Sequence, residues 1–187
     1  MPLSPIGRVS FHSVFQPTAM EKDQEKKYGV TLIFPKKGMK PDQIALLKAM
    51  KDSAEALCQE KFGCTLKDKH KGKAIRSPFR DGAEKDHLDG YNDEVIFVRF
   101  SGRNRPHVIG PDKSPITDDF YNGCLARVSY TTYSYTKGSP GIAFGLVNIQ
   151  KTGDADPFGF GSSNPDNDFD AVDDDLSGDG GSIDDVL

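Results

Sequence analysis

Apolar and polar residues alternate along several stretches of the chain, and along one they recur at helical spacing. From Gly7 to Phe15, Val9, Phe11 and Phe15 alternate with Arg8, Ser10 and His12, which predicts a first strand ended by Gln16 and Pro17. A polar loop follows, and Tyr28 to Phe34 (YGVTLIF) reads as a short, largely apolar strand closed by Pro35, so that the two strands make an antiparallel pair. Pro41 suits the first position of a helix. Ile44, Leu47, Met50, Ala54, Leu57 and Cys58 then recur at spacings of three and four until Gly63 supplies a stop, and this stripe is expected to plug an end or side of the strand core. Glu94 to Phe100 (EVIFVRF) is a third strand, with Ile96, Val98 and Phe100 on one face and Val95, Phe97 and Arg99 on the other.

The clearest signal is Leu125 to Ile149, where two runs rich in β-branched and aromatic residues flank the turn segment Lys137 to Gly141. Alternation in the first arm places Val128 and Tyr130 on a core face and Arg127, Tyr133, Tyr135 and Lys137 on the other. That second face carries flat π-surfaces and cations together. Such a combination suits a single-stranded nucleic acid, whose bases stack and whose phosphates need neutralising. Packing of the same tyrosines within an ordinary sheet is the competing explanation.

Charge sharpens this picture. The chain of 187 residues has a formal net charge of −4, yet Thr152 to Leu187 holds eleven Asp and no Lys or Arg. The body is therefore left with 24 basic residues against 17 acidic ones, a net of +7. A basic body joined to an acidic arm points to a domain that binds polyanions. Single apolar residues scattered among Gly, Asp, Ser, Asn and Pro cannot offset the chain entropy of Thr152 to Leu187. The expected division is a nucleic-acid-binding domain over 1–151 and a disordered acidic tail over 152–187.

Further candidates lie on loops. The basic run Lys67 to Arg80 ends in Arg76, Phe79 and Arg80 beside a turn, where one loop could present a ring between two guanidiniums. Arg103 and Arg105 form a cationic turn after the third strand, and the Phe97 and Arg99 pair repeats the ring-and-cation chemistry of the hairpin. His12 is expected on a strand surface. Cys58, Cys64 and Cys124 match no disulfide scaffold or zinc spacing, so reduced thiols and no metal or other cofactor are expected. With no apolar run of about 20 residues and no signal-peptide core, a soluble, intracellular protein without membrane contact is expected.

The ordered series SPFRDG at Ser77 to Gly82, DGYND at Asp89 to Asp93, RPHVIG at Arg105 to Gly110, FYNGCLARVSY at Phe120 to Tyr130 and GIAFGLVNIQK at Gly141 to Lys151 resembles a family of tailed-bacteriophage single-stranded-DNA-binding proteins, formerly a domain of unknown function. The resemblance spans essentially the whole body. It implies a mostly β fold with one main helix, a five-stranded OB barrel with insertions. It further implies a non-enzymatic protein that coats and protects single-stranded DNA with little sequence preference during phage replication, recombination or repair, in the cytoplasm of the infected bacterial host. Tyr91, within DGYND, joins the candidate DNA-contacting residues on this ground. Many phage and bacterial single-strand binders end an acidic tail in an aromatic residue recognised by replication partners. Here Asp184, Asp185, Val186 and Leu187 keep the acid-then-apolar logic with an aliphatic tip, a candidate contact for phage replication or recombination proteins. A second copy of the chain is a further candidate partner.

Two rival functions remain open at this stage. Asp81, Glu84, Asp86, His87, Asp89, Asp93 and Glu94 crowd into fourteen residues and could suggest a metal-dependent nuclease, although turn formers interrupt them and no carboxylates are spaced on successive strands. A virion structural or adaptor protein with a basic sheet is the other.

Overall fold

The hairpin anchors the structure, a computed structural model in which residues 1–19 and 25–159 are described. In chain order the elements are β1 (Gly7–Thr18), β2 (Lys27–Pro35), α1 (Pro41–Phe62), β3 (Lys69–His70), β4 (Lys73–Ala74), β5 (Phe79–Asp81), a 3-10 turn (Gly82–Lys85), β6 (Val95–Gly102), β7 (His107–Ile109), β8 (Leu125–Tyr135) and β9 (Gly141–Gly153). The fold is mostly β with one main helix. Seven strands form one sheet in the order β5-β6-β2-β1-β8-β9-β7, and β3 pairs with β4 in a separate small ribbon. A parallel pairing of Phe100 with Phe144 and Ser101 with Gly145 also joins β6 to β9.

Strict alternation in β8 buries Ala126, Val128 and Tyr130 and turns Arg127, Ser129, Thr131 and Tyr133 outward, as the sequence predicts. Its partner β9 carries an irregularity: Ser129 faces Asn148 while Tyr130 faces Leu146, so Val147 is an extra residue. Leu146 and Ile149 can then both face the core despite their odd spacing. Phe34, Phe100, Tyr130, Phe144, Ile142 and Ile149 fill that core, and each fully buried large side chain contributes about 1.5–3 kcal/mol. The α1 helix covers it with Met50, Ala54 and Cys58, begins at Pro41 and stops at Gly63, which adopts φ 67°. Ile44, predicted to join this stripe, is instead 52% exposed, and the buried part of the stripe begins at Met50.

A bulge in β1 overturns part of the first-strand reading. Ser10 pairs with Thr31 and Ser13 with Gly29, so three steps on β1 match two on β2. Phe11 takes up the extra residue with φ 47°. One inserted residue reverses which face every later side chain occupies. Val9 and Val14 consequently both lie in the core, whereas Phe11, predicted to share a face with Val9, is 37% exposed, and β1 continues past Pro17 to Thr18.

The packed body also extends beyond Lys151, where composition predicts its end. Lys151 is itself buried and forms ion pairs with Asp119 at 2.6 Å and Asp154 at 2.7 Å. Burial by itself would lower its pKa, but the two carboxylates more than reverse this and raise it. Residues 154–159 then form a strap. The Phe158 amide donates to the Asn122 carbonyl at 3.0 Å, and the Gly159 amide donates to Asp89 Oδ2 at 3.0 Å. The Phe158 ring lies in a second small core with Ile33, Tyr91 and Phe97. It fits because position 90 is glycine: a Cβ there would come within 2.5 Å of that ring. A short apolar anchor thus fixes a segment whose composition suggests disorder. The partner contact expected at Asp184, Asp185, Val186 and Leu187 lies outside the described residues.

All three cysteines are free, and burial pushes the Cys58 thiol up to about 11, which makes it a poor nucleophile at neutral pH. No helix among the described residues is long and apolar enough to cross a membrane.

Candidate nucleic-acid interface

Three adjoining depressions share residues and merge into one groove across β1, β5, β6, β8 and β9. One is lined by Arg76, Ser77, Phe79, Arg80, Glu84 and Tyr135. The next adds Phe11, Lys85, Phe97 and Arg99, and the third adds Lys27, Arg103, Tyr133 and Lys137. Their volumes, about 560, 540 and 640 Å³, each fall in the range of small-ligand sites. Of the twelve residues predicted to meet nucleic acid, nine line this groove: Arg76, Phe79, Arg80, Phe97, Arg99, Arg103, Tyr133, Tyr135 and Lys137.

Each is positioned by a definite local cause. Tyr133 is 38% exposed on the outward face of β8. Tyr135 lies at the end of that strand, opposite Gly141; burial raises its pKa, and the nearby Arg76 charge partly offsets this. A Cβ at position 141 would sit 2.5 Å from the Tyr135 hydroxyl and 2.9 Å from Arg76 Cβ, so glycine there makes room for both side chains to approach the strand. Arg99 points outward from β6, and burial lowers its pKa while Tyr91 and Tyr133 partly offset this. Phe79 is half-buried, edge-on to Phe144 with centroids 5.6 Å apart, and so forms the groove wall.

Phe97 is only 3% exposed, a correction to its reading as a surface ring beside Arg99. It forms part of the groove floor, with the Arg80 guanidinium and the Lys85 ammonium each 5.1 Å from its ring centre. Lys85, which the sequence reading missed, also lies 4.7 Å from the Phe11 ring and 5.4 Å from that of Tyr91. Burial lowers the Lys85 pKa, and the neighbouring charges of Arg80 and Arg99 lower it further. Crowded, partly dehydrated cations gain from an arriving anion. Neither Lys85 nor Arg99 has an ion-paired carboxylate among the described residues, whereas Arg80 pairs with Glu84 and Arg103 with Glu25 at 2.9 Å.

The remaining three candidates lie elsewhere. Tyr91 is 4% exposed, beneath the groove, and its hydroxyl donates to Ser10 Oγ at 3.0 Å. It supports the site without being available to stack on a base. Arg127 shares the outward face of β8 but spends its guanidinium on Gln150 Oε1, with bonds of 3.0 and 2.8 Å. Arg105 lines a separate depression with Phe15, Pro106 and Ile116. His12 is half-buried rather than a surface residue, edge-on to Phe120 at 5.2 Å, and burial lowers its pKa.

Three carboxylates of the acidic run that raised the nuclease reading are occupied by structural contacts. Asp81 accepts from Lys36 at 2.6 Å and from the Ala83 amide at 3.0 Å, Glu84 pairs with Arg80, and Asp89 holds the strap. No group of three His, Cys, Asp or Glu side chains among the described residues is arranged to hold a metal ion.

Residues 5–179 match the family model described as Enterobacter phage Enc34, ssDNA-binding protein. The fold is similar to a single-stranded DNA-binding protein from bacteriophage Enc34 in complex with ssDNA, with a TM-score of 0.67 and 21% identity over 84% of this chain and 88% of that one. A further structure of the Enc34 protein gives a TM-score of 0.65 at 20% identity, covering 90% of this chain and 89% of that one. The gp2.5 single-stranded DNA binding protein encoded by bacteriophage T7 is more distant, at 0.54 and 13% identity over 87% of this chain and 96% of that one. No curated protein matches the sequence.

Proposed function

The chain belongs to the Enc34 ssDNA-binding family, and from that premise we propose that it is a single-stranded DNA-binding protein of a phage. It coats single strands during replication, recombination or repair in the cytoplasm of the infected host, without catalysing a reaction. The observation that carries the reading is the groove: Lys85 and Arg99 lie in it without carboxylate partners among the described residues, beside rings of which Tyr133 is well exposed. Phosphates neutralise the cations, and bases stack on the rings without their edges being read, so affinity carries little sequence preference. Arg105 and Arg127 meet strand that has left the groove.

We read β6, β2, β1, β8 and β9 as the five strands of an OB-type barrel, a reading supported by the run of neighbour pairings and by the additional β6–β9 pairing. On the same reading the binding domain extends at least to Gly159, and the acidic segment beyond it carries the partner contact at Asp184, Asp185, Val186 and Leu187.

Titration of fluorescent oligo-dT against a duplex of equal length, at two salt concentrations, tests the function. The single strand should bind more tightly. Log affinity should fall with log salt by about 0.7 per phosphate contact. A nearly flat salt dependence would remove the proposed role of the cations, and preference for duplex would remove the role of the rings.

A further inference from the structure

We propose that Phe11 and Lys85 form a nucleotide subsite at the floor of the groove, where one base of a single strand stacks on the Phe11 ring and the adjoining phosphate meets the Lys85 ammonium. This inference rests on the single-strand reading of the groove and deepens it.

Three observations carry it. The first is backbone conformation. Phe11 occupies the inserted position of the β1 bulge at φ 47°, a left-handed conformation that glycine adopts freely and a bulky residue does not. Such conformations persist where the surroundings over-determine them and cluster at ligand sites. The inward position is taken by the fully buried Val14, and the Phe11 ring is turned instead toward Tyr91 and Lys85 at the groove.

The second is exposure. The bulge delivers a ring that is 37% exposed into a depression shared with Arg80, Arg99 and Tyr135, close to the most strongly crowded cations of the site. A ring left wet beside guanidiniums is suited to a partner that has both a π-face and an anion. A nucleotide unit has both. The base must be unstacked from its neighbours to present that face, which selects a single strand over a duplex.

The third is the position of Lys85. Its ammonium lies over the Phe11 ring, 4.7 Å from the ring centre, so a base that takes the remaining exposed part of the ring brings its phosphate toward this cation. The rest of the depression contributes His12 and hydroxyls from Ser13, Thr18, Thr31 and Ser77 and, among the described residues, no carboxylate. The carboxylate whose charge reaches Lys85, that of Glu84, is paired with Arg80, which limits its repulsion of an entering phosphate.

The test uses the full chain with Phe11→Gly, Phe11→Trp and Lys85→Met, and with Arg99→Ala as a reference. Because glycine suits the left-handed position, Phe11→Gly should keep or raise the thermal midpoint while weakening oligo-dT binding by roughly 5- to 100-fold. Its salt slope should stay that of the parent, whereas Lys85→Met should lower the slope by about 0.7. Against an oligomer of abasic residues, Phe11→Gly and the parent should bind equally. The chain has no tryptophan, so Phe11→Trp supplies a single fluorophore that stacking on oligo-dT should quench.

If Phe11→Gly proves unstable, the quenching decides, and an unquenched indole signal from the Phe11→Trp variant at saturating oligo-dT overturns the subsite. Unchanged oligo-dT affinity for a folded Phe11→Gly, alongside weakened binding by Arg99→Ala, overturns it while leaving the groove intact. Equal losses on oligo-dT and on the abasic oligomer overturn stacking. Absence of oligo-dT binding by the parent itself would instead remove the underlying reading.

Discussion

Two aromatic clusters lie in this molecule, and they differ mainly in their company. In the larger one, Phe100, Tyr130 and Phe144 pack with centroids 5.0–6.0 Å apart and, among the described residues, no cation lies over any ring. In the smaller one, Phe11, Tyr91 and Phe97 are similarly spaced, yet Lys85 lies over all three and Arg80 over Phe97. Ring chemistry is the same in both. A ring surrounded by methyl groups contributes burial, whereas one roofed by partly dehydrated cations also assembles a site for an anion with a flat face. Residue type alone therefore does not separate core from interface. The neighbours do.

The largest effect comes from breaking the dry cluster. Phe144→Ala should cost about 3–5 kcal/mol of stability, through lost transfer energy and the cavity left between Phe79, Phe100 and Tyr130. Denaturant titration should show the loss, while the fraction still folded should keep its affinity for oligo-dT. A variant with parental stability and impaired binding would make this cluster part of the interface.

Arg99→Ala should reverse that pattern. Removing a charged, partly dehydrated donor from the groove should cost about 1.5–3 kcal/mol of binding and reduce the salt slope, with a smaller change in stability. Parallel unfolding and salt-titration curves separate the two effects. Loss of stability with an unaltered salt slope would reassign Arg99 to structural support.

Tyr133→Ala sharpens the comparison along a single strand. Its ring faces the groove and should lose about 1–3 kcal/mol of binding if it stacks a base, whereas Tyr130, 1% exposed on the opposite face, should lose stability on the same substitution. Both substitutions merely unfolding the chain would return Tyr133 to the core.

How much of this is legible in the sequence depends on whether a regular period is at work. The faces of β8 and β6 follow from alternation, which is why Tyr133, Tyr135 and Arg99 lie on the faces that the spacing predicts. Arg127 shows the limit, since a shared face is not a shared place: six residues at about 3.3 Å each set it roughly 20 Å along the strand from Tyr133. Phe11 departs from its expected face because one inserted residue reverses the parity of a strand, and the only trace of this in the sequence is the odd spacing of Val9 and Val14. Tyr91 and Lys85 lie outside strands, where no period assigns a face. Phe158 escapes a reading by composition because a few scattered rings in an Asp- and Gly-rich segment barely alter it, even though this ring finds a fitted seat over Gly90.

The smallest expected effect concerns this strap, which connects the smaller cluster to the charged end of β9. Hydrogen bonding from Lys151 and Tyr121 holds the Asp154 carboxyl below its ordinary value. A carboxylate depressed in the folded state contributes stability that is present above the ordinary value, near pH 3.8, and is lost as pH falls through the folded one. Lys151 has the opposite sign: its raised pKa contributes stability at and below the ordinary lysine range, which is lost only in strong alkali. Between about pH 5 and 9 the strap should therefore be insensitive to pH, and below about pH 4 it should loosen ahead of the core. Hydrogen exchange at the Phe158 amide, bonded to the Asn122 carbonyl, should accelerate there, while the amides of β8 and β9 stay protected. Asp154→Asn should produce part of the same acceleration at neutral pH. If the Phe158 amide and the hairpin amides open together at every pH, the strap belongs to the main cooperative unit, and the two aromatic clusters differ in chemistry without differing in stability.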